Sequence, residues 1–398
     1  MSSIHQIVIV GGGNAGISVA AQLLRKNKHL DIAVIEPGEK HYYQPAWTLV
    51  GAGVFNILKT VKKESDVMPK GVRWIKKRVN GFDPEHNKVL LDGNDELQYE
   101  YLIVAPGIQL NWNEIKGLEE TLGKNNVCSN YSYKIAPYTF QCLKNFKGGK
   151  AIFHSPNTPV KCGGAPHKIM YLAADYFRKH RLLDKADVEL WSGGTRLFGV
   201  EKYEKTFLKV VKRDRIKLNF FVRLEEVDGP NHKAKFVGFG EKNKGEVYWV
   251  DFDMLHITPP QSAPDFVRNS SLANAAGWVD VDKNTLQHVR YPNIFSLGDA
   301  SSLPTGKTGA AVRKQAPVVV ANLLALIKHK KVNASYNGYT SCPVVTAYGK
   351  LVLAEFDYTN KPVETFPFDQ SKERWSMYQL KKRILPWLYW HKILKGKI

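Results

Sequence analysis

The sequence predicts an α/β protein with two Rossmann-like domains and a C-terminal membrane-docking segment. Three observations support this fold: a strand, glycine turn and helix at residues 4–27, apolar strands at 151–156, 186–193 and 253–260, and a basic, aromatic C-terminus at 371–398. Because these strands alternate with helical segments, both domains should contain largely parallel sheets.

The N-terminal segment IHQIVIVGGGNAGISVAAQLLRKN has the spacing of a dinucleotide-binding βαβ unit. Gly11 permits the tight turn, Gly13 lets the backbone approach a pyrophosphate, and Gly16 allows close packing of helix and strand. The N-terminus of the helix faces the phosphate charge. The next strand, DIAVIEP, ends in Glu36, 20 positions beyond Gly16, where a carboxylate accepts hydrogen bonds from ribose hydroxyls. The sequence therefore predicts a bound dinucleotide.

Two later segments favour FAD as that dinucleotide. YLIVAPGIQLNW (101–112) is a buried strand that runs into a turn at Gly107, and YPNIFSLGDAS (291–301) is a strand that ends at Asp299. Together with the N-terminal motif they resemble the flavin disulfide-reductase superfamily. The resemblance implies that FAD is bound here, with Gly107 at the cofactor and Asp299 on the ribityl chain. Taken alone, Asp299 would equally suit a helix N-cap or a turn after a strand.

The segment after Asp299, LPTGKTGAAVRKQAPVVVANLLALI, becomes apolar at helical spacing. Such a helix directs its N-terminus, with Lys307 beside it, towards the flavin or its phosphates. Its apolar part, 316–327, contains Asn322 and is too short to cross a bilayer, so no transmembrane helix is expected. The first six residues lead straight into the nucleotide strand, so no cleaved signal or transit peptide is expected either.

The second α/β unit lacks the glycine spacing of a pyridine-nucleotide site. In AIFHSPNTPVKCGGAPHKIMYLAADYFRKH the strand and the helix are joined by NTPVKCGGAP, without GxGxxG. Cys162 thus lies just before a helix N-terminus, close to Lys161 and Lys168. The helix dipole and both cations favour the thiolate, so a lowered pKa and a reactive sulfur are expected. The alternative is a buried cysteine that packs as a small apolar residue.

Four longer segments resemble the sulfide:quinone oxidoreductases, particularly the type found in mitochondria and many bacteria. The segments are VKCGGAPHKIMYL, HYYQPAWTLVGAG (41–53), GYTSCPVVTAYGKLVLAEFDY (338–358) and ETFPFDQSKERWSMY (364–378). The resemblance implies an FAD enzyme that oxidises hydrogen sulfide and reduces a quinone, either ubiquinone or menaquinone. The cysteine pair of the family falls on Cys162 and Cys342.

The resemblance also implies a reaction sequence. Hydrosulfide attacks a disulfide between the two cysteines, which leaves a persulfide on Cys342 and a thiolate on Cys162 that donates to the flavin. The outer sulfur passes to an acceptor such as glutathione, sulfite or sulfide. Cys128 lies roughly where related types carry a third cysteine, which makes a flavin link or a sulfur relay conceivable. Cys142 is expected to pack in the core.

Further side chains are candidates for the flavin and quinone sites. Lys168 and Lys381 match family lysines that assist the flavin or the quinone, although a solvated helix face explains either lysine as well. His41 and His167 flank motifs and could act as acid or base, but a hydrogen-bonded structural histidine is the commoner case. No metal site is expected. Apolar residues near the C-terminus are candidates to line the entry of the quinone: Phe356, Phe366, Phe368 and Trp375.

The charge balance points to a membrane surface. The chain has 57 basic and 37 acidic residues, a net charge of +20, but no nucleic-acid-binding module, so no nucleic-acid partner is expected. Residues 371–398 carry eight Lys or Arg and one Glu, interleaved with tryptophan and tyrosine. A pair of amphipathic helices of this kind lies in the headgroup layer. The alternative is a helix packed on the protein. We expect peripheral attachment, at the cytoplasmic face of a bacterial inner membrane.

The motifs set the expected domain limits. The FAD domain takes residues 1–115 and 281–330, the second Rossmann-like domain 116–280, and the C-terminal domain 331–398. Two other functions stay open at this point. A type II NADH:quinone dehydrogenase shares the fold and the membrane habit, but it requires the missing glycine motif and has no use for the cysteine pair. The other is a flavin-binding interaction protein that has lost turnover.

Overall fold

Strands and helices alternate along the described part of the chain, residues 3–398 of a computed structural model. In the first 115 residues the strands are β1 (Ser3–Val10), β2 (Ile32–Ile35), β3 (Lys40–Tyr42), β4 (Val61–Lys63), β5 (Val72–Ile75), β6 (Val79–Asp83), β7 (Lys88–Leu91), β8 (Glu96–Val104) and β9 (Gln109–Leu110). The helices are α1 (Asn14–Lys26), α2 (Trp47–Gly51) and α3 (Glu64–Val67).

The central part of the chain, from residue 116 to residue 280, continues this alternation. Its strands are β10 (Val127–Cys128), β11 (Gly149–Ser155), β12 (Ala186–Ser192), β13 (Lys217–Asn219), β14 (Val222–Asp228), β15 (Lys233–Gly238), β16 (Val247–Asp251), β17 (Met254–His256) and β18 (Gln261–Ser262). Its helices are α4 (Leu118–Thr121), α5 (Ala136–Asn145), α6 (Ala165–Lys179), α7 (Glu201–Arg213) and α8 (Asp265–Arg268).

The last part of the chain returns to the first domain and then forms a hairpin and a helical C-terminus. Its strands are β19 (Ile294–Ser296), β20 (Thr340–Ala347) and β21 (Lys350–Phe356). Its helices are α9 (Gly309–Ile327), α10 (Trp375–Gln379) and α11 (Leu385–Leu388), with π-helical turns at Leu380–Ile384 and Tyr389–Ile393.

The first sheet surrounds the N-terminal strand. Its order is β5-β2-β1-β8-β7-β6, and β19 pairs with the end of β8. Strands β5, β2, β1, β8 and β19 are parallel, whereas β7 and β6 form an antiparallel edge. Ile7, Val8 and Ile9 of β1 are fully buried, which explains why this strand is a continuous apolar run. Because parallel strands end at one edge, the turns after β1 and β19 lie side by side.

The second sheet is parallel throughout, with the order β10-β17-β11-β12-β13. An antiparallel sheet, β14-β15-β16, packs against it, where Phe236 stacks on Trp191 with ring centroids 4.5 Å apart. The loop from β11 to α6 leaves the carboxyl edge of the parallel sheet, which is the edge where α/β proteins bind ligands. Cys162 lies in this loop. The predicted α/β fold is confirmed.

Helix α9 is longer than its apolar run suggested. It has 19 residues and, by length and composition, is the one helix within residues 3–398 that could cross a membrane. It packs instead against α1. Its Asn322 is fully buried, and the side-chain amide binds the backbone of Thr285, Asn333 and Ala334. We therefore assign α9 to the core of the first domain.

The C-terminal segment is one continuous helical run, so the expectation of two separate helices was wrong. Helix α10, a π turn, α11 and a second π turn follow one another from residue 375 to residue 393. Pro386 lies inside this run, where its missing N–H interrupts the backbone hydrogen bonds, and the π turn before it widens the helix ahead of its ring. The run buries Tyr389 and Trp390 but leaves Trp387 50% exposed. It therefore has a side that faces the protein and a side that faces outward.

Two buried histidines should make the second domain sensitive to acid. His154 in β11 and His256 in β17 are fully buried, and burial lowers the pKa of each to about 3. In the unfolded chain a histidine binds its proton near pH 6.5, so between these values the unfolded state holds more protons and stability falls as the pH falls. We expect the free energy of unfolding to drop by about 1.4 kcal/mol per pH unit for each histidine.

Denaturant unfolding at about pH 5 and about pH 7 measures this loss. Over the same pH interval, the free energy of unfolding of His154→Asn should fall less than that of the wild type, because the unfolded variant has one histidine fewer to protonate. Equal pH dependence in the two proteins would contradict the assignment.

Candidate active site

The glycine loop after β1 has the geometry expected of a phosphate cradle. Gly11 has φ +101°, and a Cβ there would lie 2.4 Å from the carbonyl oxygen of Ala105. A Cβ on Gly16 would lie 1.9 Å from the carbonyl oxygen of Gly11, so helix α1 can approach the strand only with glycine there. A Cβ on Gly13, in contrast, would meet nothing within 4 Å. Two glycines are thus needed for packing, and the third borders open space at the N-terminus of α1.

Glu36 lies beside this loop, at the end of β2. Its carboxylate accepts hydrogen bonds from the backbone N–H groups of Gly12 (2.9 Å) and Gly38 (2.7 Å). These bonds fix the orientation of the carboxylate and leave further lone pairs for ribose hydroxyls. Gly107, at the end of the β8 turn, has φ +82° and likewise faces open space.

Helix α9 brings a second N-terminus to the same place. A Cβ on Gly309 would lie 3.4 Å from the side-chain amide nitrogen of Asn14, the first residue of α1. Thr308 caps α9 by accepting a hydrogen bond from the N–H of Ala311. Two positive helix ends that converge on one open space favour a diphosphate.

Asp299 and Lys307 line the other side of this space. Burial raises the pKa of Asp299, and the ammonium groups of Lys307 and Lys161 oppose this rise. Within residues 3–398 the Asp299 carboxylate has no hydrogen-bond donor, so it is available to a hydroxyl. The Lys307 ammonium lies 3.7 Å from the centre of the Trp278 ring and donates to the carbonyl of Asp299 (2.7 Å). Burial lowers the pKa of Lys307 to about 8. These residues fit an FAD with its phosphates at the helix ends and its ribityl chain near Asp299.

Two matched substitutions test the cradle. Gly13→Ala should fold normally, because its methyl group meets no protein atom, but it should weaken FAD binding about 100-fold or more by filling the phosphate space. Gly16→Ala should destabilise the apoprotein itself, because its methyl group collides with backbone. Circular dichroism of both apoproteins, followed by FAD titration, distinguishes the two effects. Wild-type affinity in a folded Gly13→Ala protein would refute the assignment.

Cys162 is held in a strained position between the two domains. It has φ +55°, a left-handed conformation that is uncommon for cysteine. Its N–H donates to the carbonyl of Lys307 (2.8 Å), and its own carbonyl accepts from the N–H of Ala165 (2.7 Å), at the start of α6. The first bond ties the loop of the second domain to the segment before α9 in the first.

The two cysteines proposed from the sequence lie next to each other. The Sγ atoms of Cys162 and Cys342 are 3.8 Å apart, although 180 positions separate them in the chain. Cys342 is buried in β20, which packs on α6. A Cβ on Gly164 would lie 2.6 Å from the Cys342 sulfur, so only glycine lets the strand approach the helix start this closely. The fold therefore brings the pair within reach of a disulfide.

The surroundings of the two cysteines shift their pKa values in opposite directions. A hydrogen bond from Cys342 lowers the pKa of Cys162 well below its ordinary value, and the nearby ammonium of Lys168 lowers it further against the effect of burial. The pKa of Cys342 is raised, by its bond to Cys162 and by burial. The Nζ atom of Lys168 lies 2.8 Å from the Cys162 sulfur. Burial alone would lower the pKa of Lys168, but the two sulfurs raise it above its ordinary value. These shifts favour the thiolate at Cys162 and the thiol at Cys342.

Lys381 reaches the same region from the C-terminal run. It is buried, and its ammonium donates to the carbonyl of Pro45 (3.1 Å), just before α2. Burial and the charge of Lys168 lower the pKa of Lys381 to about 7, while the two cysteines oppose this shift. Its protonation therefore changes near neutral pH.

The remaining candidates lie in different surroundings. Burial lowers the pKa of His167 to about 4, so its imidazole is neutral. Cys128 and Cys142 are buried, and burial raises the pKa of Cys128, so this sulfur is a thiol and not a thiolate. The predicted quinone-entry residues do not form one cluster: Phe366 stacks on Phe368, Phe356 contacts Phe198, and Trp375 is 67% exposed. Their role stays a prediction.

Sequence reasoning missed the residues that fix the Cys162 loop. The side-chain oxygen of Gln261 accepts from the N–H of Lys161 (2.9 Å), and the backbone N–H of Gln261 donates to the hydroxyl of Thr158 (3.0 Å). The hydroxyl of Tyr131 donates to the carbonyl of Lys161 (3.3 Å). The sequence pattern also gives no role to Gly164. Within residues 3–398, no group of three His, Cys, Asp or Glu side chains could hold a metal ion.

The chain is similar to known proteins in sequence and in fold. Residues 5–139 match the family described as "Pyridine nucleotide-disulphide oxidoreductase". The chain is 48% identical to the mitochondrial sulfide:quinone oxidoreductase of Dictyostelium discoideum, covering 100% of this chain and 87% of the relative. It is 44% identical to that of Mus musculus, covering 98% and 87%. The crystal structure of a sulfide:quinone oxidoreductase from Aquifex aeolicus has the same fold, with a TM-score of 0.83 at 19% identity over 100% and 92% of the two chains.

Proposed function

The chain belongs to the sulfide:quinone oxidoreductase family, and from that premise we propose that Cys162 and Cys342 form its redox-active pair. The protein is an FAD-dependent oxidoreductase of sulfide and quinone, and this membership favours that function over an NADH dehydrogenase or an inert flavin protein. The observation that carries the proposal is the 3.8 Å separation of the two sulfurs, with the ammonium of Lys168 2.8 Å from one of them.

The polarity of the pair gives the direction of attack. When hydrosulfide attacks the disulfide at Cys342, a new S–S bond forms there, the Cys162–Cys342 bond breaks, and Cys162 leaves as a thiolate. A leaving thiol of low pKa departs faster, and Cys162 is the sulfur whose pKa is lowered. Attack on Cys162 would instead expel Cys342, while the Lys168 ammonium lies 2.8 Å from the other sulfur. The electrostatics therefore favour a persulfide on Cys342.

The outer sulfur of the persulfide then passes to a nucleophile, such as the thiolate of glutathione, sulfite or a second sulfide. This step leaves two protein thiolates, and their conversion back to the disulfide releases two electrons. FAD, when bound, accepts this electron pair and supplies it to the quinone. With a thiol acceptor the balance is H₂S plus thiol plus quinone, giving a persulfide and a quinol.

Lys381 is our candidate for the quinone side of the reaction. Reduction of a quinone to a quinol consumes two protons, and a lysine whose pKa is about 7 can donate one at neutral pH. It lies on the C-terminal run, whose outward side exposes Ile384 and Trp387. Ubiquinone or menaquinone dissolved in a membrane would enter from that side.

We propose that this outward side binds a membrane peripherally. It combines half-exposed Ile384 (49%) and Trp387 (50%) with Lys382 and Arg383, a combination that suits the headgroup layer of an anionic bilayer. The sequence-based expectation of a bacterial inner membrane finds no support among the relatives of 44% and 48% identity, which are both named as mitochondrial. We therefore propose peripheral attachment without assigning the compartment.

Vesicle binding tests the docking side. Trp387→Glu should reduce the fraction bound to vesicles that contain anionic lipid by about tenfold, because it removes an apolar side chain that would enter the bilayer and adds a negative charge. Trp249→Glu is the matched control, since Trp249 is 53% exposed but lies on β16 in the second domain. Equal binding of the two variants would contradict the proposal.

Anaerobic titration of the FAD-loaded protein tests the proposed chemistry. Sulfide should bleach the oxidised flavin absorption and produce a long-wavelength band from the Cys162 thiolate, and added quinone should restore the oxidised spectrum. NADH should do neither. A flavin that bleaches with NADH and ignores sulfide would overturn the proposal.

A further inference from the structure

The C-terminal run also contacts the glycine loop, through a buried chain of hydrogen bonds. The hydroxyl of Tyr389 lies 2.6 Å from Nε2 of His41, and Nδ1 of the same ring lies 3.1 Å from the carbonyl oxygen of Gly12. Nδ1 is also 3.3 Å from Oε2 of Glu64. All three side chains are buried. The chain thus connects the second π turn to the middle glycine of the phosphate cradle.

The chemistry of the partners fixes the direction of this chain. A carbonyl oxygen only accepts, so the proton of the imidazole must be on Nδ1, which donates to Gly12. Nε2 of the same ring is hydrogen-bonded to the hydroxyl of Tyr389. Burial raises the pKa of Tyr389, so the phenol keeps its proton. Without the tyrosine hydroxyl, the buried Nε2 would lose its partner and the ring would be free to rotate.

The same segment packs along helix α1. Tyr389 and Trp390 share a buried cluster with Ile17, which lies in the first turn of that helix. A Cβ on Gly396 would lie 2.7 Å from the backbone of Ala21 and Gln22, so the chain end lies directly on α1. Helix α1 therefore has the C-terminal residues on one side and the open phosphate space at its N-terminus.

Glu64 adds a second observation at the loop. Its carboxylate is buried, and its Oε1 atom has no hydrogen-bond partner within residues 3–398. That atom would lie 2.8 Å from a Cβ on Gly12. A buried acceptor without a donor is costly, and it adjoins the loop whose N–H groups serve a nucleotide. His41 and Glu64 thus both lie against Gly12.

We propose that Tyr389 and His41 are positioning residues for FAD: the C-terminal run completes the cofactor site by holding the Gly12 carbonyl. The run then has two roles on opposite sides, with Tyr389 directed at the cofactor loop and Trp387 directed outward. Neither residue needs to touch FAD. The inference concerns cofactor retention, so it stands or falls independently of the sulfur chemistry.

Release of FAD tests this inference without sulfide or quinone. Holoprotein is diluted, and free FAD is followed by its fluorescence. Tyr389→Phe should release FAD about tenfold faster than wild type, because only the hydrogen bond to His41 is lost. Tyr43→Phe is the matched control: Tyr43 is also buried, its ring lies 4.7 Å from that of Tyr389, and its hydroxyl has no partner within residues 3–398. It should release FAD at nearly the wild-type rate.

Thermal unfolding of the apoproteins separates positioning from general stability. The apo forms of the two tyrosine variants should unfold at similar temperatures, while only Tyr389→Phe loses FAD rapidly. Equal release rates in the two variants would overturn the inference. If Tyr389→Phe does not fold, the His41 variants decide. His41→Asn can still donate to Gly12 and should retain FAD longer than His41→Leu, whereas equal release from both would overturn the inference.

Discussion

Cys162→Ser and Cys342→Ser should each abolish the reduction of quinone by sulfide, with rates at least about 1,000-fold below wild type. Neither variant can form the disulfide that hydrosulfide attacks, and within residues 3–398 neither Cys128 nor Cys142 forms a sulfur contact with the pair. Cys142→Ser is the control, because Cys142 is buried in α5 within the core and should be replaceable without loss of rate. Stopped-flow measurement of flavin reduction and a steady-state quinone assay measure both steps.

The two serine variants should differ in their spectra. Cys342→Ser keeps Cys162 next to Lys168, so its thiolate should give a long-wavelength absorption with oxidised FAD at neutral pH. Cys162→Ser removes the sulfur that lies 2.8 Å from the Lys168 ammonium and should lack that absorption. The reverse assignment, with the band in Cys162→Ser, would mean that Cys342 faces the flavin. Full activity in either variant would rule out the disulfide mechanism.

Local sequence patterns predicted the parts of the site whose geometry is local. The spacing of Gly11, Gly13 and Gly16 reflects steric limits within one strand and one helix. A Cβ would collide with backbone at Gly11 and Gly16, and it would meet open space at Gly13. Likewise, the position of NTPVKCGGAP between a strand and a helix predicted Cys162 just before a helix N-terminus, and α6 indeed begins at Ala165. In both cases neighbouring residues determine the geometry.

The meeting of the two cysteines could not be predicted from local patterns. It depends on β20 packing against α6 and on Gly164 being small enough to admit Cys342, and no periodicity within either segment encodes that contact. The pairing was accessible only through family resemblance. The orientation of Lys307 is a similar case: its position beside the α9 N-terminus was predicted, but its ammonium binds backbone carbonyls and the Trp278 ring.

The C-terminal run shows why composition alone does not separate inward from outward residues. Trp387 and Tyr389 are two positions apart and similar in character, yet one is half-exposed and the other is bonded to His41. Two π turns rotate the faces of the helix, and such turns have no reliable signal in a single sequence. At 3.6 residues per turn, two positions correspond to about 200°, so the period places Trp387 and Tyr389 on opposite faces but does not tell which of the two faces is buried.

Lys168→Met should raise the pKa of Cys162, because it removes the ammonium that lies 2.8 Å from the sulfur. The shift is best measured in the Cys342→Ser background, where the long-wavelength absorption reports the Cys162 thiolate alone. As the pKa rises, less thiolate exists at neutral pH, so the band should weaken there and return at higher pH. Lys168→Arg keeps a cation and should shift the midpoint much less.

A control on the same helix distinguishes a local charge from a general electrostatic effect. Lys179 lies in the last turn of α6, about half-exposed and paired with Asp175, so Lys179→Met removes the same charge from the same helix. Solvent screens that charge from the cysteine pair, and the band midpoint should stay near its starting value. If both substitutions moved the midpoint equally, the net charge of the protein would set the thiolate. If neither did, the helix N-terminus and the hydroxyl that replaces the Cys342 thiol would be sufficient to stabilise the Cys162 thiolate, and Lys168 would serve another step.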